Sequence, residues 1–153
     1  MDTIQLIGEK MGTKRSILVE SSGVPLAVVI SGANTHDVKL LEETLDAVII
    51  TRPEVTEHAP QHLCADAAYT GTPANQAMSG RAYTPHVRSR GEEKAEKQEG
   101  KKARRWVVEV TFSWFNRFRK LLIRWEKKEK NYLALLHFAC AIIVWRKVLH
   151  VHR

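Results

Sequence analysis

Cysteine is scarce in this sequence: only Cys64 and Cys140 occur among 153 residues, and both lie in apolar surroundings. Two widely separated cysteines exclude a disulfide-rich scaffold and indicate buried thiols in a reducing compartment. No CxxC pair or clustered Cys/His spacing is present, which argues against a zinc site. The N-terminus has no basic segment followed by an apolar one, so no signal peptide is expected.

Several other signals of function are also missing. The sequence has no glycine-rich phosphate loop, and no motif supports a Ser/His/Asp or Cys/His hydrolase. The best membrane candidate, Tyr132 to Trp145, is only about 14 residues long and contains His137. It is too short to span a bilayer, so we expect a buried helix, no membrane partner and a cytoplasmic protein.

Charge is abundant but unevenly distributed. Residues 86–130 hold 15 of the 24 Lys and Arg but only 7 of the 17 Asp and Glu, whereas the rest of the chain is nearly balanced. A strongly basic segment favours an anionic partner, with nucleic acid first and an anionic membrane surface second. The alternative is a solvated surface with no partner.

The first half of the chain alternates between strand and helix patterns. Residues 16–20 and 24–30 are β-rich runs around Ser21-Ser22-Gly23, which predicts a hairpin. Ile4, Leu6 and Ile7 could form a short strand before it. Further along, the pattern predicts a helix at 36–49, a strand at 62–65, a helix at 73–79 and a strand at 82–85. This order indicates an α/β protein with a mixed sheet and helices packed on it.

The second half is predicted to be helical. Residues 88–103 are charged and lack large apolar side chains, so we expect a flexible loop. A long basic amphipathic helix is predicted to begin between residues 101 and 104 and to end at residue 130. Its polar face carries Glu109, Ser113, Asn116 and Lys120. Residues 131–149 are apolar nearly all round, which favours a buried C-terminal helix.

Two acids are the main candidates for chemistry. Asp66 directly follows the 62–65 strand, and ligands in α/β folds collect at the carboxyl ends of strands. Taken alone, Asp66 could be a loop residue and Glu109 a surface ion-pair partner. Together they could hold Mg²⁺ or Mn²⁺, because hard cations prefer carboxylate oxygens. DNA phosphates would bind the neighbouring cations, which are Lys101, Lys102, Arg104, Arg105, Arg117, Arg119 and Lys120.

A histidine and three tryptophans could also have functional roles, but a structural role is the better interpretation of each. His36, next to Asp37, could be a third metal partner, although a histidine near a helix cap usually lies on the surface. Trp106, Trp114 and Trp125 could stack on bases, but core packing is the better interpretation of apolar residues at helical spacing.

Three segments, in order, resemble bacterial insertion-sequence transposases of the DDE class. They are KMGTKRSILVESSGVPLAVVISGANTHDVKLLEETLD, HLCADAAYTG and RRWVVEVTFSWFNRFRKLLIRWEKKEKNYLALLHFACAIIVWR, and together they span roughly residues 10 to 146. The resemblance implies an RNase H-like fold with helices on both faces of a mixed sheet. It also implies that Asp66 and Glu109 are the second and third metal-binding catalytic acids, which cut and join transposon-end DNA.

The chain also departs from that family pattern. The first acid is missing, since Asp2 and Glu9 are the only acids before Lys14, and we expect the first strand to be lacking. Ala68, Thr70, Val110 and Phe112 replace the usual glycine, aspartate, arginine and histidine. A polar neighbour orients a metal ligand, so Phe112 should weaken metal binding.

Three hypotheses follow from these observations. The first is an N-terminally truncated transposase with little or no strand transfer of its own. The second is a non-catalytic protein that binds DNA or pairs with full-length transposase, at the bacterial nucleoid. The third is an inert fragment whose sheet edge is exposed and invites aggregation.

Overall fold

Five strands and five helices make up the part of the chain that the structure describes. A computed structural model describes residues 2–5, 13–32, 34–65, 67–87 and 106–151. The strands are β1 (Asp2–Gln5), β2 (Thr13–Val19), β3 (Pro25–Gly32), β4 (His62–Ala65) and β5 (Thr84–Val87). The helices are α1 (Asp37–Asp46), α2 (Thr72–Ser79), α3 (Trp106–Phe115), α4 (Arg119–Leu122) and α5 (Glu129–Val151), with a 3-10 turn at Ala67–Tyr69.

The strands form two small sheets. β1, β2 and β3 are antiparallel in that order, while β4 and β5 are parallel and joined through α2. The predicted hairpin, the mixed α/β class and the strand–helix–strand unit at 62–87 are thereby confirmed. β1 also comes close to β4, so the two sheets lie side by side at this point.

A short strand, β1, precedes the β2–β3 hairpin, and the expected loss of the strand that bears the family's first acid stays a prediction. β1 has only four residues, and Thr3 pairs with Ile17 of β2. The prediction of a short strand at Ile4 is confirmed, whereas Leu6 and Ile7 lie outside the described residues. Its pairing covers the backbone N–H and C=O groups that this edge of β2 would otherwise expose.

Helices cover both faces of the β2–β3 hairpin. Alternate side chains of a strand point to opposite faces, and β2 is buried from Lys14 to Val19. Leu18 and Ala27 pack with α1, α2 and Leu63 in one cluster. Ile17, Val19 and Val28 pack with α3 and α5 in the other. The predicted covering of both faces by helices is confirmed for this hairpin.

Polar contacts fix α1 in the first of these layers. The buried Thr44 hydroxyl lies 2.6 Å from the Ser16 hydroxyl of β2 and 2.7 Å from the Leu40 carbonyl. Arg81, just after α2, donates two hydrogen bonds of 2.6 and 2.7 Å to the carboxylate of Asp46. This bidentate pair lowers the pKa of Asp46. α1 is therefore tied both to the sheet and to the end of α2.

The prediction of one continuous basic helix up to residue 130 is wrong, because the helix is broken after α3. Phe118 has extended backbone angles (φ −90°, ψ 101°), and so does Ile123 (φ −121°, ψ 121°). The chain therefore ends α3 at Phe115 and forms only one further turn, α4. Leu121 is buried in the core cluster that includes α5, and the half-buried Phe118 packs against that cluster.

α5 packs through one face only, so the predicted fully buried helix is partly wrong. Tyr132, Leu136, Ala139 and Ile143 are buried at helical spacing. Phe138 and Trp145, on the opposite face, are more than 60% exposed. By length and composition α5 could cross a bilayer, which is weak support for membrane insertion because core helices pass the same criterion.

Candidate functional site

The exposed face of α3 carries the acid that the sequence singles out. α3 buries Val107, Val108, Thr111, Phe112 and Phe115 against the sheet. Glu109, Ser113 and Asn116 fall on the opposite face and are exposed, as predicted for the polar stripe. Glu109 lies in the first turn of α3, where the helix dipole favours a negative charge. Its carboxylate is therefore accessible to a ligand from solution.

The position of α3 is fixed by the turn of the β2–β3 hairpin. The Thr111 hydroxyl, fully buried, donates a 2.6 Å hydrogen bond to the carbonyl of Gly23. Gly23 has φ +86°, and the helix backbone approaches it closely at Val107. Glu109 thus projects from a helix that is fixed by its packing against the β2–β3 hairpin.

A group of exposed cations follows α3. Arg117, Arg119 and Lys120 lie at the junction between α3 and α4, and all three are exposed. They come within eleven residues of Glu109 along the chain. Lys101, Lys102, Arg104 and Arg105, which were predicted to join this surface, lie outside the described residues. Of the predicted basic surface, the structure therefore describes only Arg117, Arg119 and Lys120.

Asp66 also lies outside the described residues. The predicted strand before it is confirmed as β4, which ends at Ala65, and a 3-10 turn begins at Ala67. Asp66 is thus placed by the chain between a strand end and a turn. Its pairing with Glu109 remains a prediction.

A metal site is not complete within the part of the chain that is described. No group of three His, Cys, Asp or Glu side chains there is arranged to hold an ion. His36 is the N-cap residue of α1 and is exposed, as expected for a cap-region surface histidine. Glu109 offers oxygen donors at an accessible position, which suits Mg²⁺ or Mn²⁺ better than a soft metal.

Sequence reasoning missed a buried cation beneath this helix. Arg15, on β2, is 5% exposed, and its guanidinium carbon lies 5.4 Å from the centre of the Phe112 ring. The signal was present in the sequence, because Lys14-Arg15 immediately precedes an apolar run. The predicted strand began at residue 16, whereas β2 begins at Thr13 and carries both cations into the fold.

Comparison with known proteins identifies the family. The family described as "Transposase DDE domain" matches residues 8–144. A protein of Burkholderia cepacia, designated a transposase for insertion sequence element IS402, is 33% identical over 137 residues. No solved structure matches the chain.

The family match covers most of the sequence, and the chain belongs to the DDE transposase family. The resemblance noted in the sequence is confirmed, together with its assignment to insertion sequences. The aligned region covers 88% of this chain but 63% of the IS402 relative, so the chain spans less than two thirds of that protein. Members of this family act on DNA and generally use divalent metal ions.

Proposed function

We propose that this chain binds the end DNA of an insertion sequence and carries two of the three acids of a DDE site. Asp66 and Glu109 would bind Mg²⁺ or Mn²⁺, and the ion would activate the attacking oxygen and stabilise the leaving oxygen at a phosphodiester. Neither Asp2 nor Glu9 is assigned as the first acid, because in similar proteins that acid lies on a strand well upstream of the position that matches Lys14. On its own, the chain should therefore show little cleavage or strand transfer.

The observation that carries the proposal is that the exposed acid of α3 is followed along the chain by a group of exposed cations. Glu109 lies on α3, and Arg117, Arg119 and Lys120 follow at the α3–α4 junction. A metal-binding carboxylate needs nearby positive charge to hold the phosphate backbone, and lysine and arginine supply it. Lys101, Lys102, Arg104 and Arg105 would extend this surface in the N-terminal direction.

The fold supports the same proposal at a coarser level. The closeness of β1 to β4 would join the two sheets into one mixed sheet with helices on both faces, which is the arrangement of an RNase H-like domain. In such a sheet Asp66, at the end of β4, belongs to the edge where ligands collect.

A second candidate function is favoured by Phe112. This ring is 5% exposed and one turn from Glu109, so it places an apolar group where a metal ligand usually has a polar neighbour. The alternative is a non-catalytic DNA-binding protein that pairs with itself or with full-length transposase. Both candidates act in the bacterial cytoplasm, on the DNA of the nucleoid.

DNA binding is tested with a labelled duplex of the element's terminal repeat. The apparent Kd should rise steeply with salt, because each phosphate contact releases counterions. Replacing Arg117, Arg119 and Lys120 together by alanine should weaken binding and reduce the salt slope by up to about 3, at roughly 0.9 per lost contact. The matched control removes the same charge from three other exposed positions, which are Lys39, Lys127 and Arg146. Equal effects of the two triple substitutions would refute a local DNA surface.

Catalysis is tested on the same duplex with a 5′-labelled strand and Mg²⁺ or Mn²⁺. We expect no metal-dependent nicking by this chain alone. Robust nicking that disappears in Asp66→Asn and in Glu109→Gln would show that the site is competent. Nicking that appears only when full-length transposase is added, and depends on Glu109 of this chain, would establish the partner role.

A further inference from the structure

Arg15 is a buried cation that has no counter-charge among the described residues. The residue is 5% exposed, and its Nη1 is fully enclosed without a hydrogen-bond partner. No hydrogen bond or salt bridge to its side chain occurs among the described residues. Arginine cannot shed its proton, so the charge stays in the protein interior. Buried charges are normally paired, because desolvation is costly and a partner offsets it.

Within the part of the chain that the structure describes, the one contact that compensates this charge is weak. The guanidinium carbon lies 5.4 Å from the centre of the Phe112 ring, which permits a cation–π attraction at the long end of the usual range. Lys14, the neighbouring cation, differs because its Nζ donates a 2.8 Å hydrogen bond to the carbonyl of Thr35. Of these two buried cations of β2, Arg15 is therefore the one whose side chain makes no hydrogen bond within the described part of the chain.

The location of Arg15 links it to the proposed site. Successive residues of a helix are separated by about 100°, which places Phe112 about 60° from Glu109 and about 40° from Asn116 around α3. Phe112 is thus the buried residue at the margin of the exposed face that carries Glu109. The guanidinium carbon lies 5.4 Å from the centre of the Phe112 ring, so Arg15 packs against the residue at that margin.

We propose that Arg15 is an anion-binding residue that pairs with a phosphate oxygen of bound DNA beside Glu109. The inference rests on the proposed function and adds to it a binding residue on β2, outside the basic surface of α3 and α4. Guanidinium suits this role because its planar fork matches two oxygens of a phosphate. Phe112 covers the group when no DNA is bound.

The first experiment measures stability and uses inorganic phosphate as the probe. Thermal unfolding is recorded in increasing phosphate at constant ionic strength, balanced with chloride. Phosphate should raise the Tm of the natural chain and leave that of Arg15→Met unchanged. Without phosphate, Arg15→Met should be at least as stable as the natural chain, because an apolar side chain of similar length removes an unpaired buried charge. A lower Tm with an undiminished phosphate effect would overturn the proposal.

The second experiment measures duplex binding. Arg15→Met should weaken binding by about ten- to hundredfold, the usual loss for a hydrogen bond to a charged group. Arg15→Lys keeps the charge but lacks the planar guanidinium, so its affinity for the duplex should lie between those of the natural chain and Arg15→Met. This variant keeps the test valid if the methionine variant fails to fold. Equal affinity of the lysine variant and the natural chain would count against bidentate phosphate binding.

Two outcomes separate this inference from its alternatives. If Glu109→Gln lowers the Tm of the natural chain but not that of Arg15→Met, then Glu109 is the counter-ion, and the phosphate role is wrong. If the natural chain does not bind the duplex at all, the proposed function fails. Phosphate stabilisation that depends on Arg15 would still identify the guanidinium as an anion site.

Discussion

The side chain of Thr111 on α3 hydrogen-bonds to the backbone of Gly23 in the β2–β3 turn, 88 residues earlier in the chain, at 2.6 Å. The same hydroxyl lies 3.2 Å from the carbonyl of Val107, so its single proton has two nearby acceptors, of which the Gly23 carbonyl is the closer. Since Thr111 is two residues from Glu109, this contact sets where the acid stands relative to the sheet.

Substitution of Gly23 should destabilise the fold for two reasons. Its φ of +86° disfavours any side chain, and a Cβ there would lie 3.1 Å from the Thr111 hydroxyl and 3.3 Å from the Val107 carbonyl. We expect Gly23→Ala to cost about 1–3 kcal/mol in urea unfolding. Gly32→Ala, where a Cβ meets only the flexible side chain of Asn34, is the matched control. Equal losses would mean that α3 does not pack on the turn.

Glu20 should make the hairpin sensitive to acid. Burial alone would raise its pKa, but hydrogen bonds from Ser22, Val24 and Ser21 outweigh this effect and hold the pKa below 4.5. A carboxylate with a lowered pKa adds stability above its unfolded-state pKa, and this contribution is lost as pH falls through the folded-state value. Glu20→Gln should therefore lower the Tm at pH 7, and the difference from the natural chain should shrink below pH 4.5. Glu57→Gln, in the exposed 51–61 loop, controls for the charge change, and the same pH trend in that variant would contradict the assignment.

Much of the fold was predictable because local signals and packing agree. The Ser21-Ser22-Gly23 turn, the β4–α2–β5 unit and the polar stripe of Glu109 all follow from periodicity and turn chemistry. The end of α3 was not predictable in the same way. The sequence from Phe115 to Leu122 has no proline or glycine, so no local breaker marks the extended backbone at Phe118.

The site was predictable in its residue types but not in its surroundings. Glu109 stands out because an acid among cations interrupts an otherwise basic helix. Arg15 does not stand out in the sequence, because two cations before an apolar run are typical of the residues that precede a strand and not of its interior. Burial of a charge depends on what α3 places above it, which single-sequence periodicity does not report.

Cys140 should be chemically inert in the folded protein. Burial raises the pKa of its thiol to about 12, so almost no thiolate forms at pH 8, and the thiolate is the reactive species. We expect iodoacetamide to leave Cys140 unmodified at pH 8 until denaturant is added, as followed by mass spectrometry of its peptide. Modification at the same rate with and without urea would show that α5 does not pack as described.

Replacing Phe112 by histidine, the residue that the resemblance to DDE transposases implies at this position, should make the chain less stable in a pH-dependent way. Phe112 is 5% exposed, contacts Phe115 edge to face and lies over Arg15. An imidazole there would be buried beside a guanidinium, and both effects lower its pKa below the unfolded value of about 6.5. The unfolded state would then bind the proton more readily, so the free energy of unfolding should fall further as pH drops below about 6.5.

Phe112→Leu is the matched control for that variant, because it removes the ring without introducing a titratable group. It should cost about 1–2 kcal/mol in urea unfolding, and this loss should be the same at pH 8 and pH 5. Phe112→His should lose additional unfolding free energy at pH 5. The part of this loss that charge repulsion causes should disappear when Arg15 is replaced by methionine, whereas the part that burial causes should remain. If the histidine and leucine variants show the same pH profile, position 112 is not enclosed next to Arg15.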